Sequence, residues 1–386
     1  MIKDRKTLGI YIHIPFCIAK CEYCDFLSFA DFKQQDKYID YLIREIINCS
    51  IDSSLYLVET VFIGGGTPSS IDSAYIMRIM EALKKRFTLS ETAEITIECN
   101  PGTVDKDKLC DYKAVGINRI SFGLQSADND ELKMLGRIHT YEEFLKSYNT
   151  ALECGFDNIN IDVMSGLMYQ SVDKYEKTLK KVCELAPSHI SAYSLIVEEG
   201  TPLEKKLDIL EEKGICPLPD ENTERKMYHV TKDILSKYGY RRYEISNYAK
   251  EGFECRHNMS YWERVDYRGF GLGAASLIDE SRYTNVRDFD SYYDMLDKGE
   301  EPFGEYEILT KKDAMSEFMF LGLRKCDGIK KSEFFQKFGV EYDEVYGNVS
   351  EKYKKINMLI DTKDTVCLTD EGMDVSNVIM ADYLPD

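Results

Sequence analysis

The chain has 386 residues, more than one domain usually holds, so its length predicts a large domain joined to a smaller one. Its 49 lysines and arginines against 68 aspartates and glutamates give a net charge of -19, which argues against a general nucleic-acid binder or a polybasic membrane-surface protein. No apolar run approaches the roughly 20 residues of a spanning helix, and the chain starts without a signal-peptide core, so we expect a soluble, cytoplasmic protein. Reduced cysteines that cluster in such a chain are interpreted first as metal ligands.

The first half alternates short apolar runs with amphipathic helical stretches. This alternation predicts parallel strands joined by right-handed crossovers. Six units fall short of the eight that close a complete barrel, so the predicted fold is α/β, an open partial (β/α)6 barrel. The predicted strands are 8–14, 60–63, 94–98, 119–124, 158–164 and 190–195, and the predicted helices between them include 36–49, 73–86, 141–153 and 172–185.

The pattern changes after about residue 200. A helix is predicted over 220–238 and a strand over 240–248, followed by a glycine-rich stretch at 269–276 whose spacing is not that of a dinucleotide-binding turn. From residue 309 a smaller, mainly helical domain with a short strand at 365–368 is expected. The predicted domains are a core at 1–235, a connecting region at 236–305 and a C-terminal domain at 306–386.

Three cysteines, Cys17, Cys21 and Cys24, follow the first predicted strand with the spacing C-x3-C-x2-C. A structural zinc site needs four ligands, and no second C-x2-C or H-x3-H pair completes one. Three thiolates on one tight loop suit a 4Fe-4S cluster whose fourth iron has no protein ligand. The alternative interpretation is three packing cysteines, which do not require this spacing.

Polar residues and glycines stand where the later predicted strands end. The second strand runs into Gly64-Gly65-Gly66-Thr67-Pro68, the third ends at Glu98, the fourth at Gln125, and the fifth carries Asp162. Each alone fits a tight turn or a helix cap. Together they predict a ligand site at the carboxyl edge of the sheet.

The cysteine triplet is the signature of the radical S-adenosylmethionine (SAM) superfamily, and the chain resembles its HemN/HemW family over nearly its whole length. The segments that carry this resemblance are Tyr11-Ile-His-Ile-Pro-Phe-Cys17, Ser121-Phe-Gly-Leu-Gln125, Ser191-Ala-Tyr-Ser194, Phe320-Leu-Gly-Leu-Arg324 and Leu368-Thr-Asp-Glu-Gly372. The resemblance implies a 4Fe-4S cluster on Cys17, Cys21 and Cys24, with SAM chelating the open iron and yielding a radical after one-electron reduction. The SAM contacts that it implies are Tyr11, Tyr23, Gly65, Gly66, Thr67, Glu98, Gln125, Arg137 and Asp162.

The family includes two functions of different kinds, a haem chaperone and an oxygen-independent coproporphyrinogen III dehydrogenase. The dehydrogenase has a further cysteine where this chain has Phe26, and it carries a long N-terminal extension, whereas about ten residues precede the cluster strand here. The segment His257-Asn-Met-Ser-Tyr-Trp262 also resembles the chaperone's haem-binding motif. The chaperone is therefore the expected function, which implies haem as cargo, an apo-haemoprotein client such as a respiratory enzyme, and an electron donor such as flavodoxin or ferredoxin. Radical-driven haem ring opening stays open as a third reaction.

Two interpretations of His257 stay open, because a neutral imidazole can ligate haem iron and can equally be a hydrogen-bonded structural residue. Cys255 is a weaker candidate ligand. Arg241, Arg242 and Arg256 are candidates for pairing with haem propionates, although exposed arginines are usually only solvated.

Overall fold

The structure is a computed structural model that describes residues 5–385. Outside the described residues lie the first four residues of the predicted core domain and the last residue of the predicted C-terminal domain. The same four residues are most of the N-terminal segment that is expected to lack a signal-peptide core. All six predicted strands of the first half are confirmed, each longer or shifted by a few residues at its ends. They are β1 Lys6–Ile14, β2 Tyr56–Gly65, β3 Leu89–Cys99, β4 Arg119–Gln125, β5 Asn158–Ser165 and β6 His189–Ser194.

Helices separate these strands, and side-chain caps define where several of them begin. Thr140 and Glu143 form a reciprocal capping box, and Asp72 and Ser171 each accept a backbone N–H of the first helical turn. The helices are α1 Gln35–Asn48, α2 Ser73–Arg86, α3 Lys106–Ala114, α4 Asn129–Met134, α5 Tyr141–Glu153 and α6 Val172–Glu184, with short 3-10 helices at Phe32–Gln34, Ser53–Leu55 and Pro68–Ser70.

The middle of the chain contains short elements. They are α7 Pro202–Glu211, α8 Glu221–Lys237, β7 Arg241–Arg242, β8 Asn247–Ala249, α9 Arg256–Trp262, β9 Tyr267–Phe270, β10 Ala275–Ile278, β11 Ser281–Asn285, α10 Phe289–Asp297 and β12 Phe303–Ile308. The prediction of one strand over 240–248 is wrong, because the chain reverses there and β7 pairs antiparallel with β8. The glycine-rich stretch joins β9 to β10, and Gly269 has no room for a side chain, since a Cβ would lie 2.3 Å from the Ala275 carbonyl oxygen.

One sheet gathers twelve strands of the described chain in the order β12-β11-β10-β9-β1-β2-β3-β4-β5-β6-β8-β7. Strands β1 to β6 are parallel and adjacent in chain order, which is the predicted partial barrel. Short strands extend both of its edges. Because β12 belongs to this sheet, the predicted boundary between residues 305 and 306 falls inside a strand.

The C-terminal region has its own hydrophobic core, around Phe318, Phe334 and Tyr342. The predicted strand at 365–368 is confirmed, and it is the middle strand of a small sheet of order β13-β15-β14. The elements are α11 Lys311–Gly322, β13 Ile329–Lys330, α12 Lys331–Phe338, α13 Tyr342–Lys354, β14 Leu359–Asp361, β15 Thr365–Leu368, α14 Asp370–Asp374 and α15 Ser376–Ala381.

A buried carboxylate fastens the added strands to the barrel. Glu45 of α1 is 1% exposed and accepts hydrogen bonds from Arg268 Nη2 (3.3 Å), the Gly271 N–H (2.9 Å), Asn285 Nδ2 (2.8 Å) and the Tyr292 hydroxyl (2.5 Å). Burial raises the pKa of Glu45, and the Arg268 charge opposes that rise.

Among the helices of residues 5–385, none is both long and apolar enough to cross a bilayer.

Candidate functional site

The loop that carries the three cysteines is closed at its base by backbone hydrogen bonds. The Cys17 N–H donates to the Phe29 carbonyl at 3.1 Å, and the Phe29 N–H donates to the Pro15 carbonyl at 2.8 Å. Phe16, fully buried, packs against Phe32 and Tyr38 beneath the loop. The apolar base therefore fixes where the loop leaves β1, while the cysteines remain above it.

The thiols of Cys17, Cys21 and Cys24 line one cavity of about 470 Å³. Burial raises the pKa of the Cys24 thiol to about 11, and the neighbouring Cys21 and Cys17 thiols add to that rise. A bound metal cation would offset this cost by stabilising the thiolates. Within residues 5–385 no three His, Cys, Asp or Glu side chains converge on a single-ion site.

Gly66 and Thr67, directly after β2, hold the chain against the base of the cysteine loop. The Gly66 N–H donates to the Ile14 carbonyl at 2.9 Å, and the Thr67 N–H donates to the Phe16 carbonyl at 2.7 Å. A Cβ on Gly66 would lie 2.8 Å from the Phe16 oxygen, so this close approach requires glycine. The Thr67 hydroxyl then lies 3.4 Å from Cys17 Sγ.

Two partly buried carboxylates lie on β3 and β5, the strands on either side of β4, and neither forms an ion pair with a described residue. Glu98 accepts the Gly65 N–H at 3.1 Å, and Asp162 accepts Asn160 Nδ2 at 2.7 Å. Burial raises the pKa of Glu98 to about 8, with a further rise from the nearby Asp162. Burial also raises the pKa of Asp162. Such a pair suits a ligand that brings positive charge and hydroxyl donors.

Arg137 provides the positive charge on the same cavity. Its guanidinium donates to Asn100 Oδ1 at 2.8 Å and to the Gly123 carbonyl at 2.6 Å, and its Nη1 lies 3.5 Å from Cys21 Sγ. The side chain is therefore positioned between the cysteine loop and the ends of β3 and β4. Arg137 can pair with the carboxylate of a zwitterionic ligand, while Glu98 and Asp162 can pair with its positive group. The residues present therefore fit the amino-acid part of SAM.

The structure brings eight of the nine implied SAM contacts to this first cavity. They are Tyr23, Gly65, Gly66, Thr67, Glu98, Gln125, Arg137 and Asp162. Tyr11 instead lines a neighbouring cavity, and its hydroxyl lies 3.0 Å from His13 Nδ1.

Asn100 and Tyr193 also line the first cavity and were not singled out from the sequence. Asn100 Nδ2 donates to Thr67 Oγ1 at 2.9 Å, and the Tyr193 hydroxyl donates to Gln125 Oε1 at 2.9 Å. Asn100 directly follows β3, so its position at a strand end was an available signal. Tyr193 lies within a segment that carried the family resemblance.

The second cavity, of about 610 Å³, borders the first, and Phe26, Gly65 and Glu98 line both. Phe26 is 60% exposed. Aromatic and aliphatic side chains form much of the second cavity's wall, including Tyr261 and Trp262 at the end of α9.

His257 lines neither cavity. It is 1% exposed, its Nδ1 lies 2.9 Å from Thr60 Oγ1, its Nε2 lies 2.9 Å from the Tyr261 hydroxyl, and its ring stacks on Phe62. Burial lowers the pKa of His257 to about 3. Both ring nitrogens are engaged, so iron ligation by His257 would require one of these two hydrogen bonds to open. Its role as a haem ligand stays a prediction, and this geometry is that of the structural alternative.

The other haem candidates from the sequence also lie away from both cavities. Cys255 is fully buried beside Glu94. Arg241 pairs with Asp327, Arg242 with Asp370, and Arg256 with Glu59.

Comparison with known proteins shows which families share this sequence and fold. The model of the Radical SAM superfamily matches residues 11–182, and the model of the HemN C-terminal domain matches residues 309–375. Coproporphyrinogen III oxidase (HemN) from Escherichia coli, a solved radical SAM enzyme, superposes with a TM-score of 0.83 over 99% of this chain and 91% of that chain. Their sequence identity is 23%, so this likeness shows a shared fold. Fold and cysteine loop together define a radical SAM protein.

Curated relatives named heme chaperone HemW show to which family of radical SAM proteins the chain belongs. The Bacillus subtilis protein is 34% identical over 97% of this chain and 98% of its own length. The Lactococcus lactis protein is 33% identical over 99% and 98%, and the Escherichia coli protein is 38% identical over 70% of each chain. The chain belongs to the HemN/HemW family, as the resemblance read from its motifs predicted.

Proposed function

We propose that this chain is a radical SAM haem chaperone that binds haem and delivers it to apo-haemoproteins. Similarity over nearly the full length to proteins named heme chaperones supports this proposal. The observation that carries it is the pair of bordering cavities. One is lined by three thiols and the polar residues that we propose bind SAM, and the other has several aromatic side chains in its wall and a volume of about 610 Å³, which is large enough for a cargo.

In this proposal Cys17, Cys21 and Cys24 hold the 4Fe-4S cluster. Bound together, cluster and SAM supply one-electron chemistry at the open iron. Arg137 pairs with the carboxylate of SAM, while Glu98 and Asp162 accept hydrogen bonds from its ammonium and hydroxyl groups. The cavity is completed by the backbone from Gly65 to Thr67 and by the side chains of Tyr23 and Gln125. Tyr11 contacts SAM from the neighbouring cavity.

Coproporphyrinogen III dehydrogenase is the second candidate, because the HemN oxidase shares the fold. Phe26 argues against it. An exposed phenyl ring between the two cavities has no exchangeable proton or thiol, whereas the dehydrogenase has a cysteine at this position. Phe26 can therefore shape the passage between the two cavities, but it cannot supply the thiol that the dehydrogenase has at this position.

The test is to incubate anaerobically reconstituted protein, with SAM and a reductant, separately with haem and with coproporphyrinogen III. We expect haem to be bound without change and then transferred to an added apo-haemoprotein, and coproporphyrinogen III to be recovered intact. Formation of protoporphyrinogen IX would replace the chaperone with the dehydrogenase, and loss of the haem macrocycle would indicate ring opening.

Iron content tests the cluster assignment. A Cys17, Cys21, Cys24→Ala triple variant should reconstitute with almost no iron and lose the cluster's visible absorption, because the cube loses all three protein ligands. Cys216→Ala is the matched control, since Cys216 is exposed and lines neither cavity. Four irons per chain in the triple variant would contradict the assignment.

We further propose a cytoplasmic location. The described cysteines are all free thiols, which suits a reducing compartment. An electron donor of the flavodoxin or ferredoxin type and a client such as a respiratory enzyme are the partners that this function requires.

A further inference from the structure

Three arginines line the second cavity, and two of them are already neutralised. Arg264, whose side chain is fully buried, binds Glu317 at 2.9 Å and Glu280 at 2.8 Å. Arg282 binds the other oxygen of Glu317 at 2.5 Å. Arg287 is exposed and forms no ion pair or side-chain hydrogen bond with any residue of the described chain.

The charge of Arg287 lies close to the wall of the second cavity. Its stem passes beside Gly273, where a Cβ would lie 3.8 Å from Arg287 Cγ, and its charge lowers the pKa of the nearby His13. His13 cannot balance that charge, because a histidine ring is either neutral or positive, and burial keeps this one neutral. Asp25 and Glu98 also line the cavity, but neither pairs with Arg287.

The rest of the wall suits a flat, apolar ring. Tyr261, Trp262 and Tyr267 contribute aromatic faces, and Leu277 and Leu321 contribute aliphatic surface. The indole Nε1 of Trp262 is buried and has no hydrogen-bond partner in the described chain.

We propose that Arg287 is the residue that pairs with a carboxylate of the tetrapyrrole cargo, whose ring lies in the second cavity against Trp262. This inference rests on the proposed function. It specifies the cavity in which the cargo binds and the residue, Arg287, whose charge favours a cargo with a carboxylate. An aromatic wall alone would accept any flat apolar ring, whereas one unpaired guanidinium favours a ring that carries an acidic side chain. It also assigns the propionate contact to Arg287 in place of Arg241, Arg242 and Arg256.

The experiment compares haem with haem dimethyl ester, in which both carboxylates are esterified. Affinities for the reconstituted holoprotein with SAM are measured anaerobically from the Soret band. We expect Arg287→Gln to weaken haem binding about tenfold, which corresponds to about 1.4 kcal/mol, and to leave binding of the ester unchanged. Arg241→Gln is the control, since Arg241 is an exposed arginine that pairs with Asp327 outside the cavity.

A second pair of variants tests the cavity itself. Ala275 is exposed and lines the second cavity, so Ala275→Phe should fill part of it and weaken binding of both haem and the ester. Ala114→Phe introduces the same ring at an exposed position of α3 and should change neither affinity. Iron content and SAM affinity should be unchanged in all four variants.

The outcomes separate the two proposals. Equal haem affinity in Arg287→Gln and wild type, or an equal loss for haem and ester, would overturn the role of Arg287 while leaving the chaperone function in place. Unchanged affinity in Ala275→Phe would move the cargo out of this cavity. Absence of haem binding by the wild-type holoprotein would overturn both the inference and the proposed function.

Discussion

Most of the histidines are held neutral inside the molecule. His13, His139, His189 and His257 are each no more than 6% exposed, and burial lowers the pKa of each below the ordinary value. His257 shows the arrangement clearly, since it bridges Thr60 of β2 and Tyr261 of its own helix and stacks on Phe62. A histidine so held fixes α9 against the barrel and thereby places Tyr261 and Trp262 at the second cavity.

The pH dependence of stability tests the state of His257. Its pKa of about 3 lies below the ordinary 6.5, so between these values the unfolded chain binds a proton that the folded chain does not. The stability advantage of wild type over His257→Gln is therefore constant above pH 6.5 and shrinks below it, by about 2 kcal/mol between pH 7.5 and pH 5. Urea unfolding at several pH values measures the difference. A difference that does not change with pH would mean that the ring titrates normally, as expected for an open imidazole available to iron.

At the scale of elements, the site depends on how the end of β2 lies against the chain that leaves β1. The Gly65–Thr67 backbone runs close enough to Ile14 and Phe16 for direct hydrogen bonds, and the cysteine loop begins at the next residue, Cys17. Two segments about fifty residues apart in sequence are thus fixed together. The same contact shapes the cysteine loop and one wall of the first cavity.

A single methyl group at Gly66 should disturb both. In Gly66→Ala the new Cβ would lie 2.8 Å from the Phe16 oxygen and 3.0 Å from the Ile14 oxygen, and backbone atoms cannot rotate away as a side chain would. We expect a loss of about 1–3 kcal/mol in the free energy of unfolding, together with weaker SAM binding and lower iron content.

Gly347→Ala is the matched control for this variant. Gly347 lies in α13, and its nearest Cβ contact would be the ordinary 3.8 Å to Asp343 Cβ, so alanine should stabilise the helix by up to about 1 kcal/mol. Urea unfolding and equilibrium dialysis with SAM measure the two effects. Full stability and normal SAM affinity in Gly66→Ala would show that the two segments can separate without consequence.

Across the whole molecule, ion pairs join the C-terminal region to the sheet. Glu317 of α11 is 6% exposed and binds Arg264, before β9, and Arg282 of β11. The two arginines and Leu321 of α11 also line the second cavity, so the C-terminal region forms part of its wall. The second cavity therefore depends on this junction remaining closed.

Removing the charge of Glu317 should open the junction. Glu317→Gln leaves the buried Arg264 with only the partly exposed Glu280, and we expect a loss of about 3 kcal/mol in stability because one buried charge loses its main partner. Glu333→Gln is the control, since the exposed pair of Glu333 with Lys330 should contribute less than about 1 kcal/mol. Chemical unfolding measures both, and equal stability in the two variants would contradict the importance of this junction.

The sequence by itself determined the β/α repeat, the order of the six parallel strands, the cysteine loop and most of the first cavity. These features depend on local signals, since hydrophobic periodicity and motif spacing lie within a few residues of one another. Strand ends of one parallel sheet meet at one edge, so Glu98, Gln125 and Asp162 could be placed together before any contact was known.

Only the tertiary structure decided the hairpin after α8, the strands added beside β1, the second cavity and the state of His257. Arg264, Arg282 and Arg287 look alike in the sequence, and which of them is neutralised depends on Glu317 and Glu280 reaching them from other elements. His257 is fixed by Thr60, 197 positions earlier in the chain. Partners separated so widely leave no local pattern, because the folded chain alone determines which charges and ring nitrogens are already engaged.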